Sequence, residues 1–236
     1  MVAWRRHRID RVYVPGEGSE EDHVGLSPTL LRLIREEPLS GMTVLDVGCG
    51  SGRLTFALAR EAGRIIGIDL AGDAIERARA RIVEPGLGHI SFERLDAEAI
   101  DYRDLAPIDL VVANLCMSNE ILRRSAAALP PGHHTAFAAF HLEQWKESGK
   151  ASRFAYAEGQ LERALAETGF EPVYLGVERE VLLLAAPDDG PAYLEASGQA
   201  TKWTRDGRWE GFLRYLQDGG RELTIRARVI VKARRS

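Results

Sequence analysis

The sequence predicts an α/β protein with a doubly wound, mostly parallel sheet, and three observations support this. Strand-like and helix-like segments alternate, with short links, from Ser27 to Gly169. The strand-like segments, such as "IDLVVANL", are continuous apolar runs, as expected of strands buried on both faces. The first of these strands ends in the glycine-rich stretch "VLDVGCGSG", a turn typical of ligand-binding α/β sheets.

The elements follow one another in a regular order. Ser27 is a predicted helix cap, Pro28 suits the first helical position and Pro38 ends this helix. Five strands are predicted after it, at "TVLDVG", "RIIGIDL", "HISFERLD", "IDLVVANL" and "HTAFAAFH". Further helices are predicted at "RLTFALAREAG", "AGDAIERARARIVEPG", "SNEILRRSAAALPPG" and "SRFAYAEGQLERALAETG".

The two ends of the chain depart from this alternation. Residues 1–30 begin with a polar, irregular stretch, and we expect an N-terminal arm that closes over a ligand. Beyond residue 170 two longer strands are predicted, and they flank an aromatic, glycine-rich insertion at residues 188–220. This insertion is interpreted either as a substrate lid or as extra packed helices. Because no linker is evident, we expect residues 1–236 to form one domain.

Composition narrows the possible partners. The 236 residues carry a formal net charge of -4, which argues against general binding to nucleic acid. No apolar run is long enough to span a membrane, and the sequence starts without an apolar signal segment. With only two cysteines, these features predict a cytoplasmic protein with no membrane association. The sequence leaves the oligomeric state open.

The spacing of the glycines and the preceding acid indicate the ligand. Gly48, Gly50 and Gly52 form G-x-G-x-G, so the third glycine comes one residue too early for the dinucleotide pattern G-x-G-x-x-G. We expect Asp46, at the strand end, to face the crevice. A carboxylate there would repel a pyrophosphate but would suit a ligand with ammonium and sulfonium groups, which is S-adenosylmethionine.

These motifs resemble those of the class I S-adenosylmethionine-dependent methyltransferases, in particular the small-molecule group. The resemblance covers Thr43 to His141 and marks residues 43–141 as a cofactor-binding core. It implies a Rossmann-like sheet of seven strands with one antiparallel strand near the C-terminus, and S-adenosylhomocysteine as product. It implies that Asp69 binds both ribose hydroxyls and Asp96 the adenine amino group. The cofactor-binding residues implied by the resemblance are Asp46, Gly48, Cys49, Gly50, Gly52, Asp69, Leu70, Asp96, Ala97, Asn114 and Leu115.

Catalytic residues are less evident. His141 lies at the predicted carboxyl end of the fifth strand and is the candidate general base. Cys116 lacks the Pro-Cys or Thr-Cys context of a nucleophile and is interpreted as a small buried residue. His133 and His134 are adjacent, so on a strand they point to opposite faces and cannot share a metal. We therefore predict no metal site.

Three functions remain open. The leading hypothesis is methyl transfer to a small molecule. The first alternative is an RNA or protein methyltransferase, for which arginines near both termini would form basic arms. The second alternative is a non-catalytic protein that binds S-adenosylmethionine, because a fold does not fix a function.

Overall fold

The structure is a computed structural model that describes residues 6–13, 25–83, 86–151 and 154–236. Its strands form one sheet in the order β1-β8-β9-β6-β5-β2-β3-β4, with β7 paired to β6. β9 runs antiparallel to β6 and β8, and every other described pair is parallel. The strands are β1 Arg6–Tyr13, β2 Thr43–Val47, β3 Arg64–Asp69, β4 Ile90–Arg94, β5 Leu110–Asn114, β6 His134–His141, β7 Ala155–Tyr156, β8 Phe170–Leu183 and β9 Glu222–Arg235.

Helices cover both faces of the sheet. The helices are α1 Pro28–Arg35, α2 Arg53–Leu58, α3 Gly72–Ala80, α4 Asn119–Ala128, α5 Glu158–Glu167, α6 Asp189–Ala196, α7 Ala200–Asp206 and α8 Arg208–Gln217. Three short 3-10 turns lie at Leu39–Gly41, Tyr102–Asp104 and Lys146–Ser148. No helix in the described part of the chain has the length and apolar composition needed to cross a bilayer.

Alternate residues of the central strands supply two hydrophobic layers. Phe137 of β6 packs into one layer with residues of α4 and α5. Ala136 and Ala138, which point the other way, join the layer formed with α1, α2 and α3. This burial on both faces is what the apolar runs predicted, and the α/β, doubly wound, mostly parallel class with an antiparallel strand near the C-terminus is confirmed.

The sheet is larger than predicted. It has nine strands in the described residues instead of seven, because β1 and β7 were not expected. β1 pairs with β8 from Arg6↔Leu175 to Tyr13↔Leu182, so the interpretation of this stretch as part of an irregular arm was wrong. The charged residues of β1 suit an edge strand, which the open side of β8 can accept. Residues 1–5 and 14–24 of the proposed arm lie outside the described residues, and its last three residues, 28–30, belong to the first turn of α1.

The helix predicted from residue 152 begins later. Ala155 and Tyr156 extend the sheet as β7, beside Phe140 and His141, and α5 starts only at Glu158. The alternating pattern of a two-residue strand is too short to be recognised in a sequence, whereas the apolar spacing of α5 is helical.

The insertion folds as three helices with their own small core. Trp203 and Phe212 are completely buried there, and their rings meet edge to face at 5.6 Å. Leu184, directly after β8, and Leu223 of β9 join the same cluster. Trp203 and Phe212, two of the aromatic residues of the insertion, thus pack its helices onto the sheet.

One glycine in α8 allows the insertion to contact the segment after β6. A Cβ added to Gly211 would lie 2.1 Å from the carbonyl oxygen of Ser148, which is a backbone atom and cannot rotate away. By contrast, a Cβ on Gly159 in α5 would lie 3.8 Å from an Arg163 side-chain nitrogen, an ordinary van der Waals contact. The two positions form a matched pair, because both glycines are in helices.

We expect Gly211→Ala to lower the free energy of unfolding by about 1–3 kcal/mol, the usual cost of overpacking. Gly159→Ala should leave it unchanged or raise it by up to about 1 kcal/mol, because alanine favours a helix. Urea unfolding of both variants measures the difference. Equal stabilities would contradict the close contact between α8 and Ser148.

Candidate functional site

The predicted cofactor residues meet at one edge of the sheet. β2 ends at Val47, β3 at Asp69, β4 at Arg94 and β5 at Asn114, and these four strands are neighbours in the order β5-β2-β3-β4. Because parallel strands all end at the same edge, residues that are far apart in the sequence line one crevice there. Each residue that the resemblance implied either belongs to this edge or follows it directly.

The glycine turn between β2 and α2 has two structural reasons for its glycines. Gly48, Gly50 and Gly52 have φ angles of 63°, 54° and 84°, which side chains disfavour. A Cβ on Gly48 would lie 2.4 Å from the Cys116 sulfur, and a Cβ on Gly52 would lie 2.6 Å from the Phe56 ring. A Cβ on Gly50 would meet no atom within 4 Å, so this residue leaves its side of the turn open for a ligand.

Asp69 connects the turn to the next helix. Its Oδ2 accepts a hydrogen bond of 2.8 Å from the Gly50 N–H, and its Oδ1 accepts one of 2.8 Å from the Ala71 N–H. An ionised carboxylate has about four acceptor positions, so two remain after these bonds. Two acceptors on one rigid carboxylate are what a pair of neighbouring ribose hydroxyls requires.

Asp46 does not face the crevice as expected from the sequence. The side chain is 1% exposed, and its Oδ2 accepts hydrogen bonds from the Thr55 hydroxyl at 2.6 Å and the Thr55 N–H at 3.0 Å. Burial raises the pKa of Asp46 to about 7, opposed by the bonds from Thr55 and assisted by the charge of Asp69. Asp46 therefore fixes the start of α2 and is only partly charged at neutral pH.

The remaining predicted cofactor residues lie at or just after the ends of β3, β4 and β5. Leu70 is 62% exposed, and the Asp96 carboxylate accepts a hydrogen bond from the backbone of the turn that includes Ala97. The Asn114 Oδ1 atom is buried and has no hydrogen-bond partner among the described residues. Leu115 has a φ of 66°, which is rare for a leucine. An unsatisfied acceptor beside a strained residue is typical of a ligand site.

The two cysteines are free thiols, of which Cys49 is buried and Cys116 is half-buried. The Cys116 S–H donates to the Val47 carbonyl oxygen at 2.8 Å, and burial with the charges of Asp46 and Asp69 raises its pKa. Burial also raises the pKa of Cys49. A nucleophilic cysteine needs the opposite shift. Cys116 instead fills the space that Gly48 leaves, in agreement with its interpretation as a small buried residue.

His141 lies at the end of β6, as predicted, but its ring is not free. The residue is 4% exposed, its Nδ1 accepts the Glu143 N–H at 3.3 Å, and its Nε2 lies 3.1 Å from Glu158 Oε2. In this network Nε2 carries the proton and donates it to Glu158. A role as general base requires Nε2 to lose this proton, with Nδ1 becoming the protonated nitrogen and giving up the Glu143 bond, and to exchange Glu158 for the methyl acceptor.

The two adjacent histidines have separate partners. His133 Nε2 lies 3.6 Å from Asp109, and His134 Nδ1 lies 3.2 Å from Glu37 on the other side of the sheet. No group of three potential metal-ligating side chains is found within the described ranges. Thr55 was not predicted as a site residue. Its hydroxyl lies on the apolar face of α2, and a polar group in that position is expected to form a hydrogen bond with another buried polar group.

The fold and the site together define a class I methyltransferase: a doubly wound sheet with an antiparallel C-terminal strand, a G-x-G-x-G turn after β2 and an acid at the end of β3. Residues 38–171 match a family described as a methyltransferase domain. The match spans more than half of the 236 residues, and the chain belongs to this methyltransferase family.

Similar proteins agree with this assignment. A ubiquinone biosynthesis O-methyltransferase of Ralstonia nicotianae is 32% identical over 109 residues, which are 44% of this chain and 45% of that protein. The chain thus matches about half the length of this curated relative. An S-adenosylmethionine-dependent methyltransferase from Mesorhizobium loti superposes with a TM-score of 0.54 at 20% identity, covering 88% of this chain and 96% of the other.

Another solved structure contains the cofactor. The magnesium protoporphyrin IX methyltransferase of Synechocystis PCC 6803, solved with bound S-adenosylmethionine, has a TM-score of 0.57 at 14% identity. The match covers 92% of this chain and 79% of that protein. At this level of identity the two structures show the common fold alone.

S-adenosylmethionine is the cofactor of this family, and the residues present fit it. The open side of Gly50 admits a ligand, Asp69 has acceptor capacity for a ribose, and the Asn114 Oδ1 atom has no partner among the described residues. These three observations lie on one crevice and do not depend on the comparisons.

The pKa of Asp46 makes stability depend on pH. Between about pH 4 and pH 7 the folded protein holds a proton that the unfolded chain has lost, so stability falls as pH rises through this window. We expect the wild type to lose stability relative to Asp46→Asn as the pH rises over this range. The difference between their free energies of unfolding should fall by up to about 3 kcal/mol. Urea unfolding at several pH values measures it. A difference that does not change with pH would show that Asp46 titrates normally.

Proposed function

We propose that this protein transfers the methyl group of S-adenosylmethionine to a small organic molecule. The observation that carries the proposal is the Asp69 carboxylate, which is held by the Gly50 and Ala71 N–H groups beside a turn with an open side at Gly50. This arrangement supports binding of the ribose with the sulfonium end directed along the turn toward β5.

The chemistry needs little from the protein beyond placement. The sulfonium is already a good leaving group, so the protein has to hold the acceptor atom in line with the methyl carbon and exclude water. The methyl carbon forms a bond to the acceptor, the sulfur keeps the electron pair of the broken bond, and S-adenosylhomocysteine is the product. A base is needed only for an acceptor that arrives protonated.

The relatives favour a hydroxyl group on a small molecule as acceptor. The name of the Ralstonia protein specifies an O-methyltransferase of ubiquinone biosynthesis. The net charge of -4 argues against the alternative of an RNA methyltransferase. We propose further that the protein acts in the cytoplasm and that helices α6–α8, at the carboxyl edge beyond β8, cover the acceptor as a lid.

The function can be tested without knowledge of the acceptor. Purified protein is incubated with S-adenosylmethionine labelled in its methyl group and with a fractionated metabolite extract. We expect label in a small organic molecule and formation of S-adenosylhomocysteine. Label only in RNA or protein fractions would favour the first alternative. Tight binding of S-adenosylhomocysteine without any labelled product would favour a non-catalytic binding protein.

Substitution of Asp69 tests the cofactor site. Asp69→Ala should weaken S-adenosylhomocysteine binding by about 1.5–3 kcal/mol, because hydrogen bonds to a charged group are lost. Asp73→Ala is the control, since Asp73 is an exposed aspartate four residues further on that pairs with Arg77. Isothermal titration calorimetry measures both. An unchanged affinity in a folded Asp69→Ala protein would contradict the proposed ribose contact.

His141 is tested through turnover. If its ring takes the acceptor proton, His141→Gln should lower kcat by a factor of about 100 or more. Affinity for S-adenosylhomocysteine should not change. Glu158→Gln should retain most of the activity, because the imidazole stays in place. If kcat is unaffected by the loss of His141, this residue has a structural role between β6 and α5.

A further inference from the structure

Two arginine side chains meet at Gly25, next to the predicted cofactor crevice. Arg228 of β9 is 7% exposed, and its Nη1 donates a hydrogen bond of 2.7 Å to the Gly25 carbonyl oxygen. A Cβ on Gly25 would lie 2.4 Å from Arg53 Nη1 and 3.9 Å from Arg228 Nη2. Both guanidinium groups thus lie within 4 Å of the position that a Cβ on Gly25 would occupy, so they are close to each other.

Neither guanidinium group has an ion pair with a carboxylate of the described residues. The nearest acids on that face have closer partners. Glu178, opposite Arg228 on β8, accepts a hydrogen bond from the Ser27 hydroxyl at 3.0 Å, and Glu180 pairs with Arg226 at 2.9 Å. Burial and the charges of Arg226 and Arg53 lower the pKa of Arg228 to about 10, although the charges of Glu178 and Glu180 oppose this shift, and the group is still charged at neutral pH.

This arrangement is costly in the absence of an anion. A buried charge is normally compensated by a partner, and two like charges raise the cost further. A carboxylate between the two groups would supply the missing charge, and guanidinium groups bind carboxylates in a planar, two-bond geometry that a lysine cannot provide. The chemistry of the pair is thus that of a site for a small carboxylic acid.

The pair lies at the edge where the cofactor would bind. Arg53 is the first residue of α2, directly after Gly52, and Arg228 pairs in the sheet with Phe140, the neighbour of His141. β9 is four strand positions from β3, which carries Asp69, and this corresponds to about 19 Å. The six bonds from the ribose ring to the cofactor's own carboxylate span roughly 8 Å. That carboxylate falls short of Arg228, so the site is better placed for the second substrate.

We propose that Arg53 and Arg228 bind a carboxylate group of the methyl acceptor. The acceptor is then a small organic acid, oriented with its carboxylate at β9 and its nucleophilic atom over β5. This inference rests on the proposed methyl transfer for the identity of the ligand, but the carboxylate site itself can be measured without it.

The first experiment measures binding and needs no catalysis. Benzoate and the uncharged benzamide, which has nearly the same shape, are titrated into the full chain and followed by thermal shift and calorimetry. We expect benzoate to bind at least tenfold more tightly than benzamide to the wild type and to lose this preference in Arg228→Gln and Arg53→Gln. Arg234→Gln is the control, because Arg234 is on the same strand but pairs with Glu171 at the opposite edge.

The second experiment measures turnover of paired acceptors. The wild type is compared with Arg53→Gln, whose side chain is exposed and whose loss does not disturb the core. With 3,4-dihydroxybenzoate and catechol as acceptors, we expect the KM for the acid to rise at least tenfold, while the KM for catechol and the affinity for S-adenosylhomocysteine remain unchanged.

Several results would overturn the proposal. Equal binding of benzoate and benzamide to the wild type would show that no carboxylate site exists. A weaker affinity for S-adenosylhomocysteine in Arg53→Gln, with benzoate binding intact, would show that the Arg53 guanidinium binds the cofactor and not the acceptor. A large loss of thermal stability in ligand-free Arg228→Gln would show that the charge of Arg228 is already compensated within the protein and needs no ligand. If benzoate binds as expected but S-adenosylhomocysteine does not bind at all, the methyl-transfer proposal fails and the carboxylate site stands.

Discussion

The contact between Asp46 and Thr55 is the interaction on which the candidate site depends. It joins the end of β2 to the first turn of α2, so the glycine turn between them is closed at both ends. With the turn fixed, the Gly50 N–H reaches Asp69, which also holds the start of α3 through Ala71. Two carboxylates thus position two helices and one turn, and loss of either contact would leave the crevice without a defined shape.

The same contact has an electrostatic cost. Asp46 is removed from water and lies close enough to Asp69 for the second charge to raise its pKa further. Because Asp46 is buried against Thr55, Asp69 is the acid that a ligand in the crevice would meet. The acidic end of the crevice and the basic pair Arg53 and Arg228 therefore give the edge of the sheet two regions of opposite charge. A cationic methyl donor and an anionic acceptor would each find a complementary region.

Sheet order brings these regions together. β9 returns antiparallel between β6 and β8 and starts at the carboxyl edge, which brings Arg228 beside Phe140 and opposite the N-terminus of α2. The insertion α6–α8 also starts and ends at this edge, because β8 ends there and β9 begins there. Its buried Trp203 and Phe212 anchor it, so any movement over the acceptor has to involve its outer residues rather than its core.

The sequence by itself determined the class of the sheet and most of its elements, because apolar runs and glycine turns depend on local chemistry. It also predicted which residues lie at the carboxyl edge of the sheet, since most of them follow the end of a parallel strand. Only the tertiary structure showed that Asp46 is buried against Thr55, that His141 is engaged by Glu158, and that residues 6–13 form an edge strand. These facts concern pairs of residues whose distance is set by sheet order and packing, and burial and charge pairing arise only when separate elements meet.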